Sequence, residues 1–322
     1  MKRVIIYILF TALVATGLFL IPKIHKDAPP KDIMSTEKEI SFDNSLALQV
    51  KFPDGVREIP LSEYLIGVVA AEMPETFPAE ALKAQAVAAR TFALKNSRKH
   101  PDADICASSA CCQGWSNAQN AAAAGAVKQT DGLVITYQDK LIDATYFSCC
   151  ESRTEAAVSV WGSEIPYLQS VESPDASESY TQEIIYSTDE FAQKLRERYP
   201  ELYLEGDWLG KISYTKGGGI DTAVLGGTEI SGTTLRSIFS LRSTDIDIVL
   251  TDQGVLLTTH GFGHRVGMSQ HGAKAMAESG KTFDEILSHY YQNIILQRLC
   301  MKKTPPPELG EALFSSKIRH PW

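Results

Sequence analysis

The stretch from Leu61 to Arg98, LSEYLIGVVAAEMPETFPAEALKAQAVAARTFALKNSR, reads as two helices separated by a short break. The first runs from about Ser62 and stops near Glu72, because Pro74 lacks an amide hydrogen and disfavours helical geometry in the residue before it. Leu65, Ile66, Val68, Val69, Ala70 and Ala71 precede Glu72, and Met73 and Pro74 follow it. A carboxylate placed there stands at the negative end of a helix dipole among apolar side chains. Both conditions favour the protonated form, as a general acid working near neutral pH requires. The bland alternative is a solvated helix-end glutamate, which is what most glutamates are.

After Pro78 the run AEALKAQAVAARTFALKN is rich in strong helix formers. Its many alanines leave little bulk, so another backbone can approach closely, as in a central packed helix. Arg90 lies among Ala88, Ala89, Thr91 and Phe92, where a charge needs a partner or a ligand. An ordinary amphipathic core helix is the competing reading.

Two further stretches carry chemistry-bearing side chains. HPDADICASSACCQGWSN offers His100, Cys106, Cys111 and Cys112. Soft thiolates and one imidazole suit tetrahedral zinc, while a disulfide from Cys106 to Cys111 or Cys112 is the alternative outside the cytoplasm. HGFGHRVGMSQHGA contains His260, His264 and His271. Gly261 and Gly263 oppose the helix that would put two of these on one face, and no H-E-x-x-H carboxylate is present. The glycines indicate instead a loop whose backbone can approach a ligand closely.

The run VVAAEMPETFPAEALKAQAVAARTFAL, with FGHRVGMSQHGAKAMA much later, resembles the stage II sporulation protein D (SpoIID) family, peptidoglycan lytic transglycosylases of the engulfing sporangium. The resemblance covers roughly residues 45–296. It implies that Glu72 is the catalytic acid and base and that Lys83, Gln85 and Arg90 lie in the same cleft. It also places the glycine-rich loop there, with His264, Ser269 and Gln270 offering hydrogen bonds to sugar hydroxyls. The stretch KLIDATYFSCCESRT resembles the family's cleft strand, which makes Ser148 and Thr154 the residues to touch sugar. Cys149, Cys150 and Glu151 depart from the small-residue turn usual at that place. Some members carry a His/Cys zinc site after the second helix, so the resemblance favours a structural zinc on His100, Cys106, Cys111 and Cys112. As partners it implies glycan strands, a cell-wall amidase and a membrane protein of the engulfment machinery. The related LytB-type amidase enhancers supply the competing reading, a non-catalytic glycan-binding activator of an amidase.

The remaining sequence is consistent with an exported wall protein. Residues 4–22 are uncharged and apolar, and at about 1.5 Å per residue they just span a hydrocarbon core of about 30 Å. They read as a membrane anchor, with Lys2 and Arg3 cytoplasmic and the body extracytoplasmic; a cleaved signal peptide competes, but no A-x-A-like site follows. Residues 23–44 read as a polar tether, 45–296 as the catalytic domain and 297–322 as a tail. The chain has 322 residues, enough for a sizeable core, and a net charge of −8. That charge, without a basic stripe or a G-x-x-x-x-G-K-[ST] run, argues against nucleic-acid and nucleotide binding.

An α+β fold is expected, with the helices carrying Glu72 beside a cleft walled by strands and the glycine-rich loop. Strands are expected at LALQVKF, GLVITY, KLIDATYFSCCESRT and WGSEIPYLQSV, and a helix at TDEFAQKLRERY opened by Thr188 or Asp189. TTLRSIFSL reads as a short helix and AKAMAESGKTFDEILSHYY as helices supporting the loop. A hydrolytic glycosidase commonly uses two carboxylates, whereas this chain offers one convincing acid, since Pro74 disrupts any helical pairing of Glu75 with Glu72. A zinc hydrolase is disfavoured, because three thiolates and one imidazole close the coordination sphere.

Overall fold

The computed structural model describes residues 41–118, 120–174 and 180–300. The expected anchor and most of the tether lie outside these residues, as does the tail beyond Cys300. Among the described residues no helix is long and apolar enough to cross a membrane.

Around Glu72 the chain follows its prolines. A short helix α1 (Phe42–Ser45) leads into the hairpin of β1 (Ala47–Phe52) and β2 (Gly55–Pro60), in which Val50 faces Arg57 across the ladder. Helix α2 (Leu61–Glu72) follows directly and stops where Met73 turns extended ahead of Pro74, with φ −132° and ψ 136°. Helix α3 (Ala79–Lys95) then runs through the core, with all of its alanines except Ala79 buried. The small side chains let it pack against α2, α4 (Ala121–Gln129) and β4 (Leu133–Tyr137), and against α8 (Gln270–Glu278) and α9 (Phe283–Tyr290) from the far end of the chain.

The rest of the fold is a set of small sheets. β3 (Ile105–Cys106) pairs parallel with β1, and β4 lies between β14 (Ile295–Arg298) and β5 (Lys140–Leu141). β6 (Tyr146–Phe147) pairs parallel with β13 (Met268–Ser269). A second core, built on Phe191, Leu195, Trp208, Phe239 and Leu257, lies under two three-stranded sheets. One sheet has the order β10 (Thr228–Ser231), β9 (Ile220–Leu225), β8 (Leu209–Tyr214). The other has the order β11 (Asp245–Thr251), β12 (Gly254–His260), β7 (Gln182–Tyr186). Helices α6 (Thr188–Arg196) and α7 (Gly232–Ile238) belong to this part.

The α+β class is observed, and three local expectations are corrected. KLIDATYFSCCESRT is not one strand: Lys140–Leu141 and Tyr146–Phe147 pair as short strands, Cys149 and Arg153 make single bridges to Phe262 and Glu172, and the rest is irregular. WGSEIPYLQSV forms no strand either. Helix α5 (Ala157–Trp161) ends there on left-handed Gly162, and the Leu168 amide closes a turn onto the Ile165 carbonyl. Helix α6 is capped by Ser187, not by Thr188 or Asp189; Ser187 and Glu190 form a reciprocal capping box.

Two buried charge clusters tie distant segments together. Arg90 is fully buried, its Nε bonded to Asp43 Oδ1 at 2.8 Å and its Nη1 to the Leu133 carbonyl at 3.1 Å. Arg265, also fully buried, reaches Asp245 at 3.1 Å, while Glu155 accepts from the Gly219 amide at 3.0 Å and from the Thr215 hydroxyl at 2.8 Å. Both ends of the described chain meet at one turn. The Asp131 carboxylate accepts from the Ser41 hydroxyl and from the Phe42 and Asp43 amides, the Asp131 carbonyl accepts from Arg298, and the Gly132 carbonyl accepts from the Leu299 amide.

Candidate functional site

Glu72 opens onto a cavity of ≈ 390 Å³ lined also by Gln113, Tyr146, Phe147, Ser148, Gly263, His264 and Gln270. Three parts of the chain meet there over residues 145–148, which also line it. Helix α2 delivers Glu72 at its last turn, where the proline break frees the side chain. The loop after β3 supplies Gln113 and Gly114, and it is seated on α2 by a close approach. The Ser116 amide bonds the Gly67 carbonyl at 3.0 Å, and a Cβ on Gly67 would stand 2.0 Å from the Trp115 ring, so only glycine fits there. The third part is the segment Gly261–Gly267, in which every second residue is left-handed: Gly261, Gly263, Arg265 and Gly267 have φ of 77°, 117°, 64° and 82°. A Cβ on Gly263 would meet Phe147, and one on Gly267 the Thr145 carbonyl, so these glycines let the loop lie flat on the backbone of residues 145–149.

Two donors hold the carboxyl. Gln270 Nε2 donates to Oε2 at 2.9 Å and the Gly114 amide to Oε1 at 3.2 Å. Burial pushes the Glu72 pKa above the ordinary carboxylate range, outweighing both hydrogen bonds, which pull it down. Glu75 is exposed and stands outside the cavity lining. No second acidic residue lines the cavity among the described residues.

Behind the acid, Gln113 is held in one orientation. Its Oε1 accepts from the Tyr64 hydroxyl at 3.1 Å, and its Nε2 donates to the Ala89 carbonyl at 3.4 Å and the Tyr146 hydroxyl at 2.9 Å. The Tyr146 pKa is pushed well above its ordinary value by burial and by the neighbouring Glu72 charge, so it stays a phenol. On the loop side, His264 Nδ1 accepts the Val266 amide at 3.1 Å, and burial, with the Arg236 charge, pushes the ring down to about 4. His264 is therefore neutral at physiological pH, with its proton on Nε2.

The expected site residues divide sharply. Glu72, Ser148, His264 and Gln270 meet at the cavity. Arg90 does not: its charge is met by Asp43, and it joins α1 to α3 inside the core. Lys83 pairs with Glu80 at 2.7 Å on the flank of α3. Gln85 is fully buried, with no hydrogen-bond partner for its amide among the described residues, and it does not reach the cavity lining. Thr154 is fully buried and bonded to the Val171 amide at 3.0 Å, and Ser269 caps α8 by accepting from the Gly272 amide at 3.0 Å. Gln113, Gly114 and Tyr146 escaped the sequence reading. Only their nearness in sequence to Cys112 and Ser148 pointed toward them.

His100, Cys106, Cys111 and Cys112 do converge. One ligand atom from each lies within 4.8 Å of the other three, with His100 Nε2 3.3 Å from Cys112 Sγ and the Cys111 and Cys112 sulfurs 3.9 Å apart. All three cysteines are free thiols. Three sulfurs and an imidazole at these separations fit the corners of a zinc tetrahedron, in which Zn–S is about 2.3 Å and Zn–N about 2.0 Å.

Residues 53–137 match the family model described as SpoIID, Stage II sporulation protein. The chain is 41% identical over 261 residues to the stage II sporulation protein D of Bacillus amyloliquefaciens and 39% identical over 259 residues to that of Bacillus subtilis, each match covering 74% of both chains. It is also 28% identical over 286 residues to the amidase enhancer of Bacillus subtilis, covering 40% of that protein.

Proposed function

The chain belongs to the stage II sporulation protein D family, and from this we propose that it is a peptidoglycan lytic transglycosylase with Glu72 as its only acid and base. The observation that carries the reading is a single carboxyl, biased toward its protonated form, in a cavity otherwise lined by neutral polar and aromatic side chains. Glu72 gives its proton to the glycosidic oxygen between MurNAc and GlcNAc as the C1–O bond breaks. The C6 hydroxyl of the same muramic acid then attacks C1 and returns its proton to Glu72. The products are a 1,6-anhydro-MurNAc end and a free GlcNAc hydroxyl. No second carboxylate is needed, because the nucleophile belongs to the substrate, and a well-oriented internal nucleophile acts at an effective molarity of about 10⁵ M or more.

In this reading Gln270 and Gly114 keep the Glu72 carboxyl aimed, and Ser148 and His264 hydrogen-bond sugar hydroxyls. Zinc, when bound by His100, Cys106, Cys111 and Cys112, supplies a cross-link for the loop that carries Gln113 and Gly114, with no coordination position left for chemistry. The protein would work outside the cytoplasm, held by residues 4–22, in septal wall remodelling during engulfment beside an amidase and a membrane partner.

Digestion of amidase-treated peptidoglycan followed by mass spectrometry tests the reaction. Glycan fragments lighter by one water than hydrolysis products are expected, and products carrying the added water overturn it. The amidase-enhancer relative favours a second reading, a glycan-binding activator. That reading predicts no glycan cleavage by this protein alone and faster release of stem peptides when an amidase is added.

A further inference from the structure

We propose that Trp161 forms an aromatic sugar subsite just outside the Glu72 cavity, where the glycan stacks its next ring as it leaves past His264. The inference rests on the glycan reading above and extends the site beyond its cavity. Helix α5 buries only Ala157, and it leaves Val158 50% and Trp161 43% exposed, three residues apart and so on one face. Gly162, left-handed with φ 72°, stops the helix at Trp161 and leaves the indole at its end. The exposed ring is not isolated. Its centroid lies 5.5 Å from that of His264, which in turn lies 6.0 Å from Phe147, and both His264 and Phe147 line the cavity.

A continuous line of rings therefore runs from the acid's cavity to the surface. An aromatic face carries partial negative charge, and the axial C–H face of a β-1,4-linked N-acetylated sugar presents partial positive charge over a flat apolar area. Phe262, lining the cavity and 48% exposed, gives the same opening a second exposed ring.

The test uses the Glu72→Gln protein, expected to bind without turnover, and titrates trimeric and hexameric N-acetylglucosamine oligomers by calorimetry. The hexamer should bind more tightly than the trimer. Trp161→Ala should weaken hexamer binding about tenfold and remove most of that length preference, and Trp161→Phe should restore it. Equal binding of both oligomers by the parent, a length preference that survives Trp161→Ala, or a folded Trp161→Phe as weak as the alanine variant overturns the subsite alone. A parent that binds neither these oligomers nor glycan strands freed from amidase-treated wall overturns the glycan reading and the subsite with it.

Discussion

The side-chain amide of Gln270 donates to Glu72 Oε2 across 2.9 Å, joining residues 198 positions apart in the chain. Glu72 is the last residue of α2 and Gln270 the first of α8, so the carboxyl stands between two opposed helix ends. The carboxyl end of α2 disfavours its charge, and the amino end of α8 favours it. With the dipoles in opposition, burial decides the direction of the pKa shift.

That balance can be moved. Gln270→Leu removes a donor that stabilises the carboxylate, so the Glu72 pKa should rise further. If turnover requires protonated Glu72, the rate falls as pH climbs through that pKa, and the descending limb of the pH profile of kcat/KM should shift to higher pH. His264, pushed down to about 4, should contribute no limb near neutrality. A descending limb that moves to lower pH contradicts the assignment.

Glu72→Gln keeps the size of the side chain but cannot exchange a proton. Anhydro-product formation should fall by at least about 10², with glycan affinity kept. Glu72→Asp should also fail, since it withdraws the proton by one methylene. Glu75→Gln is the control and should retain turnover; loss there with an active Glu72→Gln would move the acid to Glu75.

Arg90→Met should cost about 3–5 kcal/mol of stability in urea unfolding, because it leaves Asp43 buried without its counter-charge. Replacing both, as Asp43→Leu with Arg90→Met, should recover most of the loss. Glycan affinity of the folded variants should match the parent. A selective loss of affinity at full stability would return Arg90 to the cleft.

Protein covering residues 41–300 and purified without chelator should contain one zinc per chain by elemental analysis, and removing the metal should lower Tm. Cys112→Ser should reduce both metal content and Tm. Intact-mass measurement showing a Cys106 disulfide and no metal would refute zinc and leave loop closure to a covalent bond.

Local signals carried well where the cause was local. Pro74 and Pro78 bound the two helices, and the apolar run before Glu72 foretold a carboxyl in poor contact with water. The cluster of His100 with Cys106, Cys111 and Cys112 was legible by residue type, because one short loop supplies all four side chains. Arg90 announced only that it needed a partner; Asp43, 47 residues earlier, was beyond any periodicity or motif. Gln113, Gly114 and Tyr146 reach the acid through long-range packing, seated by Trp115 on Gly67, and nothing in their own neighbourhood encodes that. The segment 161–171 misled because its alternating apolar residues pass for a strand, whereas Gly162 and the turn at Ile165–Leu168 spend them on a helix end and a single buried leucine.

The meeting of both ends of the described chain at Asp131 and Gly132 has a mechanical consequence. Tension entering through the residues before Ser41 falls first on the hydrogen bonds between α1 and Asp131, then on the Asp43–Arg90 pair. Tension leaving beyond Leu299 falls on the same turn. None of these contacts shares a residue with the lining of the Glu72 cavity. A pull applied at either end of the described residues would therefore load this turn before it reached the Glu72 cavity.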